Sequence, residues 1–466
     1  MHTTSSRSLL LLAVAGTLLA APTAAAAQDW AKARDEVVAN LQAMVRIDTS
    51  DPQTGNEAKV VRLIQDILTR EGIESRYYEK EPGRGNVVAR LKGNGAKRPL
   101  LLMGHIDVVG VERDMWTVDP FAAEIRDGYV WGRGSQDDKG MTAVALEAFI
   151  MLKRANVPLQ RDVIFMANSG EEGNPAIGVQ FMAEEHFDEI DAEFALNEGG
   201  GIEEVNGRTV VAVGTSEKVS KGMRLIAHGV SGHASRPRPD NPIVHLGAAL
   251  GKLQTWQFPM RLNETTREYF RRMADVVDPE LADLYRNLEN PARTAEVQEK
   301  LRTRDLSANS MIRTSISPTI IEGGFRSNVI PAEATVRLDI RALPDDDPQW
   351  LVEELRKVID DPAIEITPPG RGRPVNPPMP MDSDLFRALE RAQQRVFPGG
   401  ITTPTMGTGA TDSSYLRAKG ILAYGLGVPR GPEGSLAHGN DERASVEGLG
   451  RFVQFLYQTA LEVAGS

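Results

Sequence analysis

Residues 100–104, Leu-Leu-Leu-Met-Gly, form an unbroken apolar run that ends abruptly in His105-Ile106-Asp107. The run is short and is bounded by Pro99 and Gly110, so it reads as a buried strand. A strand sends residues i and i+2 to the same side, so His105 and Asp107 are expected to point the same way. That arrangement suits an imidazole that binds a metal through one nitrogen while a carboxylate holds the other. The segment closes with Trp131-Gly132-Arg133-Gly134-Ser135-Gln136-Asp137-Asp138-Lys139-Gly140, which leads into an Ala-, Leu- and Met-rich helical pattern over 140–154. Asp138 is expected to serve only as the N-cap of that helix.

The same punctuation recurs along the chain. Helical periodicity covers 30–45, broken by Asp48-Thr49-Ser50-Asp51-Pro52, and 57–70, closed by Glu71-Gly72. Strands are expected at 86–91, 162–167 and 193–196, with a hairpin over 121–131 that turns at Asp127-Gly128. The strand at 162–167 runs into Gly170-Glu171-Glu172-Gly173, and the strand at 193–196 into Asn197-Glu198-Gly199-Gly200. Strands alternating with helices imply an α/β mixed sheet with helices on its faces. In such sheets, sites form at the carboxyl ends of strands, where His105, Glu171, Glu172 and Glu198 fall.

The pattern changes near Ser216. Strands at 223–228, 325–329, 335–341 and 363–366 and helices at 241–253 and 348–359 give the order β-α-β-β-α-β, a ferredoxin-like split unit. A polar stretch over 261–318 interrupts it, helical in pattern at 266–275 and 280–287, with no role that its residues reveal. Beyond Pro368 the α/β pattern resumes, with elements at 384–395, 421–424 and 446–463. The expected organisation is a catalytic domain in two pieces, 28–217 and 369–466, with a lid and dimerisation domain, 218–368, inserted between them. A chain of 466 residues is long enough for two such cores.

Residues 1–27 read as a signal peptide: Arg7, an apolar stretch over 9–21, then Ala25-Ala26-Ala27 as a cleavage site. Export to the periplasm or the medium, with no membrane span, is the expectation. The formal net charge of -11 argues against a nucleic-acid partner. Cysteine is absent, so any metal must be held by His, Asp and Glu. Gly132-Arg133-Gly134-Ser135-Gln136-Asp137 lacks the third glycine of a dinucleotide loop, and no Gly-x-Ser-x-Gly elbow occurs.

Five segments then stand in order: His105 to Asp107, Gly132 to Gly140, Glu171-Glu172, Glu198, and Ala437-His438-Gly439-Asn440-Asp441-Glu442. Together they resemble the co-catalytic dizinc exopeptidases, the family of glutamate carboxypeptidase, carnosinase, aminoacylase, acetylornithine deacetylase and succinyl-diaminopimelate desuccinylase. The resemblance covers nearly all of the chain after residue 27. It implies two zinc ions bridged by Asp137, one completed by His105 and Glu198, the other by Glu172 and His438. It also implies Glu171 as general acid/base and Asp107 as the clamp on His105. The chemistry is consistent, because one carboxylate can join two cations and imidazole with carboxylate suits zinc.

The resemblance further implies that His233, in Ser231-Gly232-His233-Ala234-Ser235, crosses a homodimer to stabilise an oxyanion. Asn328 and Arg341 match substrate-holding positions; Arg341 either grips a carboxylate or pairs with Asp339 on its own strand. Gly407 to Asp412 resembles a substrate loop. Gly170 stands where the family often has an acidic or hydroxyl residue. His186, His228 and His245 match nothing and read as structural or surface residues. The expected activity is a zinc-dependent metallopeptidase cutting a terminal peptide bond, of carboxypeptidase or dipeptidase type. The alternatives are an N-acyl-amino-acid deacylase of aminoacylase type and, from another class, a non-catalytic solute-binding protein.

Overall fold

The computed structural model describes residues 28–50, 55–370 and 372–465. The leader over 1–27 and the break at Asp51-Pro52 lie outside the described residues. The apolar runs pair as a nine-stranded mixed sheet. From one edge its strands are Ser75–Glu79, Gly85–Leu91, Val163–Asn168, Leu100–His105, Phe194–Glu198, Leu422–Leu426, Arg208–Glu217 and Ile401–Gly407, with Gly201–Val205 on Arg208–Glu217. Leu100–His105 lies between two parallel neighbours, Val163–Asn168 and Phe194–Glu198.

Both faces of that centre are covered. Leu100, Leu102, Val163 and Phe165 turn into one core, with helices Trp30–Val45, Lys139–Arg154, Asp384–Val396 and Val446–Ala464. Leu101, Met103, Ile164 and Met166 alternate into a second core that includes helices Val179–Glu185 and Ser413–Ala418. Continuous apolar sequence is what a strand covered on both faces requires. The hairpin forms as Glu124–Arg126 and Tyr129–Trp131. Asp127 and Gly128 both take positive φ, as a tight two-residue turn demands. Arg443–Ser445 adds a third strand and ties the loop carrying His438 to this hairpin.

The second sheet is five-stranded. Ser315–Gly323, Glu333–Ala342, Met223–His228 and Ile364–Thr367 run antiparallel in that spatial order, which is the ferredoxin-like arrangement. Helices Pro242–Thr255 and Pro348–Ile359 share a core with it. One strand differs from expectation. It lies at Ser315–Gly323, not at 325–329. Gly324 at φ 75° ends it, and Phe325 stands 84% exposed in the turn that follows. Only Val329–Ile330 is extended there, paired with Gly232–His233.

The stretch left without a role over 261–318 folds as helices Glu264–Met273, Pro279–Arg286, Thr294–Arg304 and Leu306–Met311 before entering that strand. Their apolar faces form a third core with Val210, Met406 and Leu343, against the far edge of the main sheet. A buried hydroxyl pair at 2.8 Å, Thr215 with Thr265, fixes the contact. No described helix is long and apolar enough to cross a membrane.

Candidate metal centre

His105 closes the central strand and is 1% exposed. Its Nε2 lies 3.0 Å from Asp137 Oδ1 and 3.8 Å from Glu198 Oε1. His438 Nε2 lies 3.2 Å from the other oxygen of Asp137, Oδ2, and 3.1 Å from Glu172 Oε1. Two donor groups result, His105–Asp137–Glu198 and Asp137–Glu172–His438, each with all its ligand atoms within 4.8 Å of one another. Asp137 belongs to both. The structure thus brings together all five residues read as ligands.

The donor set fits cations. Three carboxylates crowd into a site where burial already disfavours charge. Burial, with Glu171 alongside, pushes the Glu198 carboxyl well above its ordinary range. His438 is raised to about 10, first by its hydrogen bond to Asp137 and then by Glu172. Burial opposes ionisation of Asp137 too, but the two imidazoles hold its carboxyl below the usual value. Excess negative charge converging on two points, from nitrogen and oxygen donors without thiolate, is what a pair of divalent cations neutralises.

The supporting shell differs in part from expectation. His105 Nδ1 lies 3.0 Å from the backbone carbonyl of Asp107 and 3.6 Å from its carboxylate. The strand ends at His105, so Asp107 is not held in strand geometry, and its carboxylate, still paired with the ring, also turns to a neighbouring loop. Its two oxygens accept from the backbone N–H groups of Glu171 and Glu172 at 3.2 and 3.0 Å. Asp107 therefore fixes the loop carrying the glutamate pair, while its carbonyl faces the ring. Asp138 does not cap its helix with its side chain; Oδ2 accepts from His105 N at 3.3 Å, beneath the ligand.

Gly170, the departure from the usual pattern, is required by its turn. It has φ 81°, and a Cβ there would stand 2.3 Å from Asn174 O. Glu442, in the His438 segment, is fully buried and accepts four bonds, from Gln136 N, Asp137 N, Gly134 N and Arg133 Nη1. It aims the Asp137 loop, and losing either Glu442 or Arg133 would strand a buried charge at about 3–5 kcal/mol.

Glu171 belongs to neither donor group. Burial raises its carboxyl to about 8, with Asp412 adding to the rise and His105 and Arg373 opposing it. Arg373, on the return segment from the second sheet, holds that carboxylate at 2.7 Å and also reaches Asp412 at 3.4 Å. Asp412 is buried and accepts from Asn168 at 2.6 Å. Arg373 carries no motif, and its position in a Pro- and Gly-rich link gave no signal in the sequence.

These groups open into one cleft of about 960 Å³. Gly407 to Thr411 line it, as do Tyr269, Ser307 and Met311 from the 261–318 helices. Arg341 also faces the cleft, but its guanidinium is paired with Asp339 at 2.9 and 3.2 Å. His233 and Asn328 do not line it. His233 is exposed, its Nδ1 accepting from Ser235 N at 3.1 Å, and Asn328 O accepts from Ala234 N at 3.0 Å. His186 packs against Tyr78 and Phe181, His228 lies between Glu333 and Glu365, and His245 pairs with Asp361, all outside the donor groups.

The chain is 28% identical over 443 residues to the N-fatty-acyl-amino acid synthase/hydrolase PM20D1 of Xenopus tropicalis, covering 92% of this chain and 86% of that one. It is 29% identical over 377 residues to a probable carboxypeptidase S-like 2 of Dictyostelium discoideum, covering 77% and 70%. The fold is similar to that of the M20 family metallo-carboxypeptidase Sso-CP2 from Sulfolobus solfataricus, with TM-score 0.70, 20% identity, and coverage of 91% of this chain and 98% of that one. The pattern of Peptidase family M20/M25/M40 matches residues 101–462. With that span and the motifs inside it, the chain is a hydrolase that belongs to peptidase family M20/M25/M40.

Proposed function

We propose that the protein is a two-zinc exopeptidase that cuts a terminal peptide bond, of carboxypeptidase or dipeptidase type. The observation that carries this reading is Asp137, whose two oxygens each face a different imidazole beside a further carboxylate. His105, Asp137 and Glu198 would hold one ion, and Asp137, Glu172 and His438 the other. When bound, such a pair polarises a carbonyl and lowers the pKa of a water between the ions. Glu171, partly buried on the cleft wall and outside both donor groups, takes a proton and returns it to the leaving amine. Arg373 and the loop held by Asp107 keep that carboxylate aimed.

A second reading is favoured by one specific finding, the relative from Xenopus tropicalis that spans 92% of this chain. On that reading the substrate is an N-acyl amino acid. The same groups serve both, because each is an amide beside a free carboxylate. Arg341, on the cleft wall, grips that carboxylate once released from Asp339. A non-catalytic solute-binding role leaves a glutamate in the cleft, aimed by an arginine, without a task. Turnover of free dipeptides against N-acyl amino acids, with and without a chelator, tests these readings. No turnover of either class by metal-loaded protein contradicts both.

Two further parts of the proposal concern assembly and place. The lid leaves Ser315–Gly323 as an edge strand, with Ile321 64% exposed and Phe325 84% exposed. An unpaired edge with apolar side chains supports pairing with a second copy, which would carry His233 and Asn328 to the partner's cleft. The Arg7 and apolar 9–21 pattern supports export, tested by N-terminal sequencing of the secreted chain.

A further inference from the structure

A second cavity, of about 650 Å³, lies between helix Pro242–Thr255, helices Thr294–Arg304 and Leu306–Met311, and the start of strand Ser315–Gly323. It shares no lining residue with the catalytic cleft. Its apolar wall includes Leu250, Leu253, Trp256 and Phe258, and the two aromatic rings stand edge to face at 4.5 Å.

The polar lining is unusual. Arg313 is 5% exposed, and no carboxylate among the described residues forms an ion pair with it. It donates to Phe258 O at 3.1 Å and to Gln298 Oε1 at 2.8 Å, while its Nε has no partner. Arg302 lines the same cavity; it donates to Gln254 O, and the one carboxylate it pairs with among the described residues, Glu299, lies 3.8 Å away and is 69% exposed. Asn309 Oδ1, also in the lining, is buried without a donor. A buried cation is normally paired, and buried donors and acceptors are normally satisfied. Here the buried Arg313 guanidinium calls for an anion, with the charge of Arg302 beside it, one carbonyl oxygen calls for an N–H, and the aromatic wall calls for an apolar body.

The geometry points to a binding site, separate from the cleft, for an α-carboxylate that bears an adjacent N–H and an apolar side chain. Such a group ends a peptide and also ends an N-acyl amino acid. Arg313 and Arg302 take the carboxylate, Asn309 accepts from the N–H, and Trp256 with Phe258 receives the side chain. This inference stands apart from the reading of the catalytic centre.

Gly247 and Gly251 face the cavity from their helix, and a Cβ at either meets nothing within 4 Å. Gly251→Trp therefore fills the space without a backbone clash. The test is calorimetric titration of the metal-loaded enzyme with N-methanesulfonyl-phenylalanine, which has the carboxylate, N–H and ring but no cleavable amide. Two sites per chain are expected, the catalytic cleft and this cavity, and only the second is weakened at least tenfold in Gly251→Trp and in Arg302→Ala, and for the carboxamide of the same probe. Values of kcat/KM should not change in either variant. A second arm uses 2-aminoethanesulfonyl-phenylalanine, extended like a peptide. Tighter binding of the longer probe assigns the peptide end, and weaker binding the N-acyl amino acid. Should one variant fail to fold, the other variant and the carboxamide still decide. A single site in the wild type, or a second site unchanged in Gly251→Trp or by the carboxamide, overturns the proposal. So does a Gly251→Trp variant that loses dimer by light scattering while binding the probe as before.

Discussion

Arg373 reaches Glu171 twice, donating to its carboxylate at 2.7 Å and to its backbone carbonyl at 2.8 Å. The arginine sits on the link returning from the second sheet, so the position of that sheet and the aim of that carboxylate are physically tied. A charged hydrogen bond contributes about 1.5–3 kcal/mol. Arg373→Met is therefore expected to lower kcat about tenfold to a hundredfold while leaving bound metal unchanged. Arg373→Lys should recover part of the loss, because it keeps the charge and drops the fork. Wild-type kcat in Arg373→Met, from initial rates at saturating substrate, would show that Glu171 needs no such partner.

The neighbouring glutamates should separate cleanly. Glu172 belongs to a donor group with His438 and Glu171 to none. Glu171→Gln is expected to abolish turnover with metal content near wild type, whereas Glu172→Ala should lose metal. Elemental analysis beside activity measures both. Equal metal loss in the two variants would remove the distinction.

How much of this could be read beforehand depended on burial. The strands ending at His105, Asn168 and Glu198 are covered on both faces, so their sequence is continuously apolar and their ends are marked. Each marked end carries a ligand or leads to one. Ser315–Gly323 is an edge strand with nearly every residue exposed, so it has no apolar alternation to detect. Helical pattern shows at 266–275 and 280–287 but not over 294–311, and the packing of all four helices against Val210 and Met406 depends on distant strands. Arg373 is beyond sequence pattern, because its meaning comes from a fold that returns the chain from the second sheet to Glu171.

Lys218 links the main sheet and the second sheet and is fully buried, its ammonium held by Ser310 and Ser315, with no carboxylate bonded to it among the described residues. Burial, with Arg341 adding to it, lowers its pKa to about 7 from 10.5. Below pH 7 the lysine is charged in both folded and unfolded chains, and the full burial penalty applies. As pH rises from about 7 toward 10.5, the folded chain releases the proton before the unfolded one, so stability rises. Lys139, also lowered to about 7 by burial, acts with the same sign. Lys218→Met should reduce the rise without removing it, measured by urea unfolding at several pH values across that window. A slope identical to wild type would contradict the assignment.

Two inactive variants test whether His233 acts across a dimer. Mixing His233→Ala with Glu171→Ala, after subunit exchange, creates one cleft lacking neither group and one lacking both. Partial recovery of activity is expected. Exchange confirmed by mass, with no recovery, would place His233 outside the partner's chemistry.

The most direct measurement is metal stoichiometry in wild type and Asp137→Asn, read by elemental analysis beside activity. Because Asp137 belongs to both donor groups, the wild type should hold two divalent ions per chain and lose activity in a strong chelator. The variant should lose both ions, not one. Protein that holds no metal and keeps full activity in the chelator, or a variant that retains both ions, would contradict the centre described.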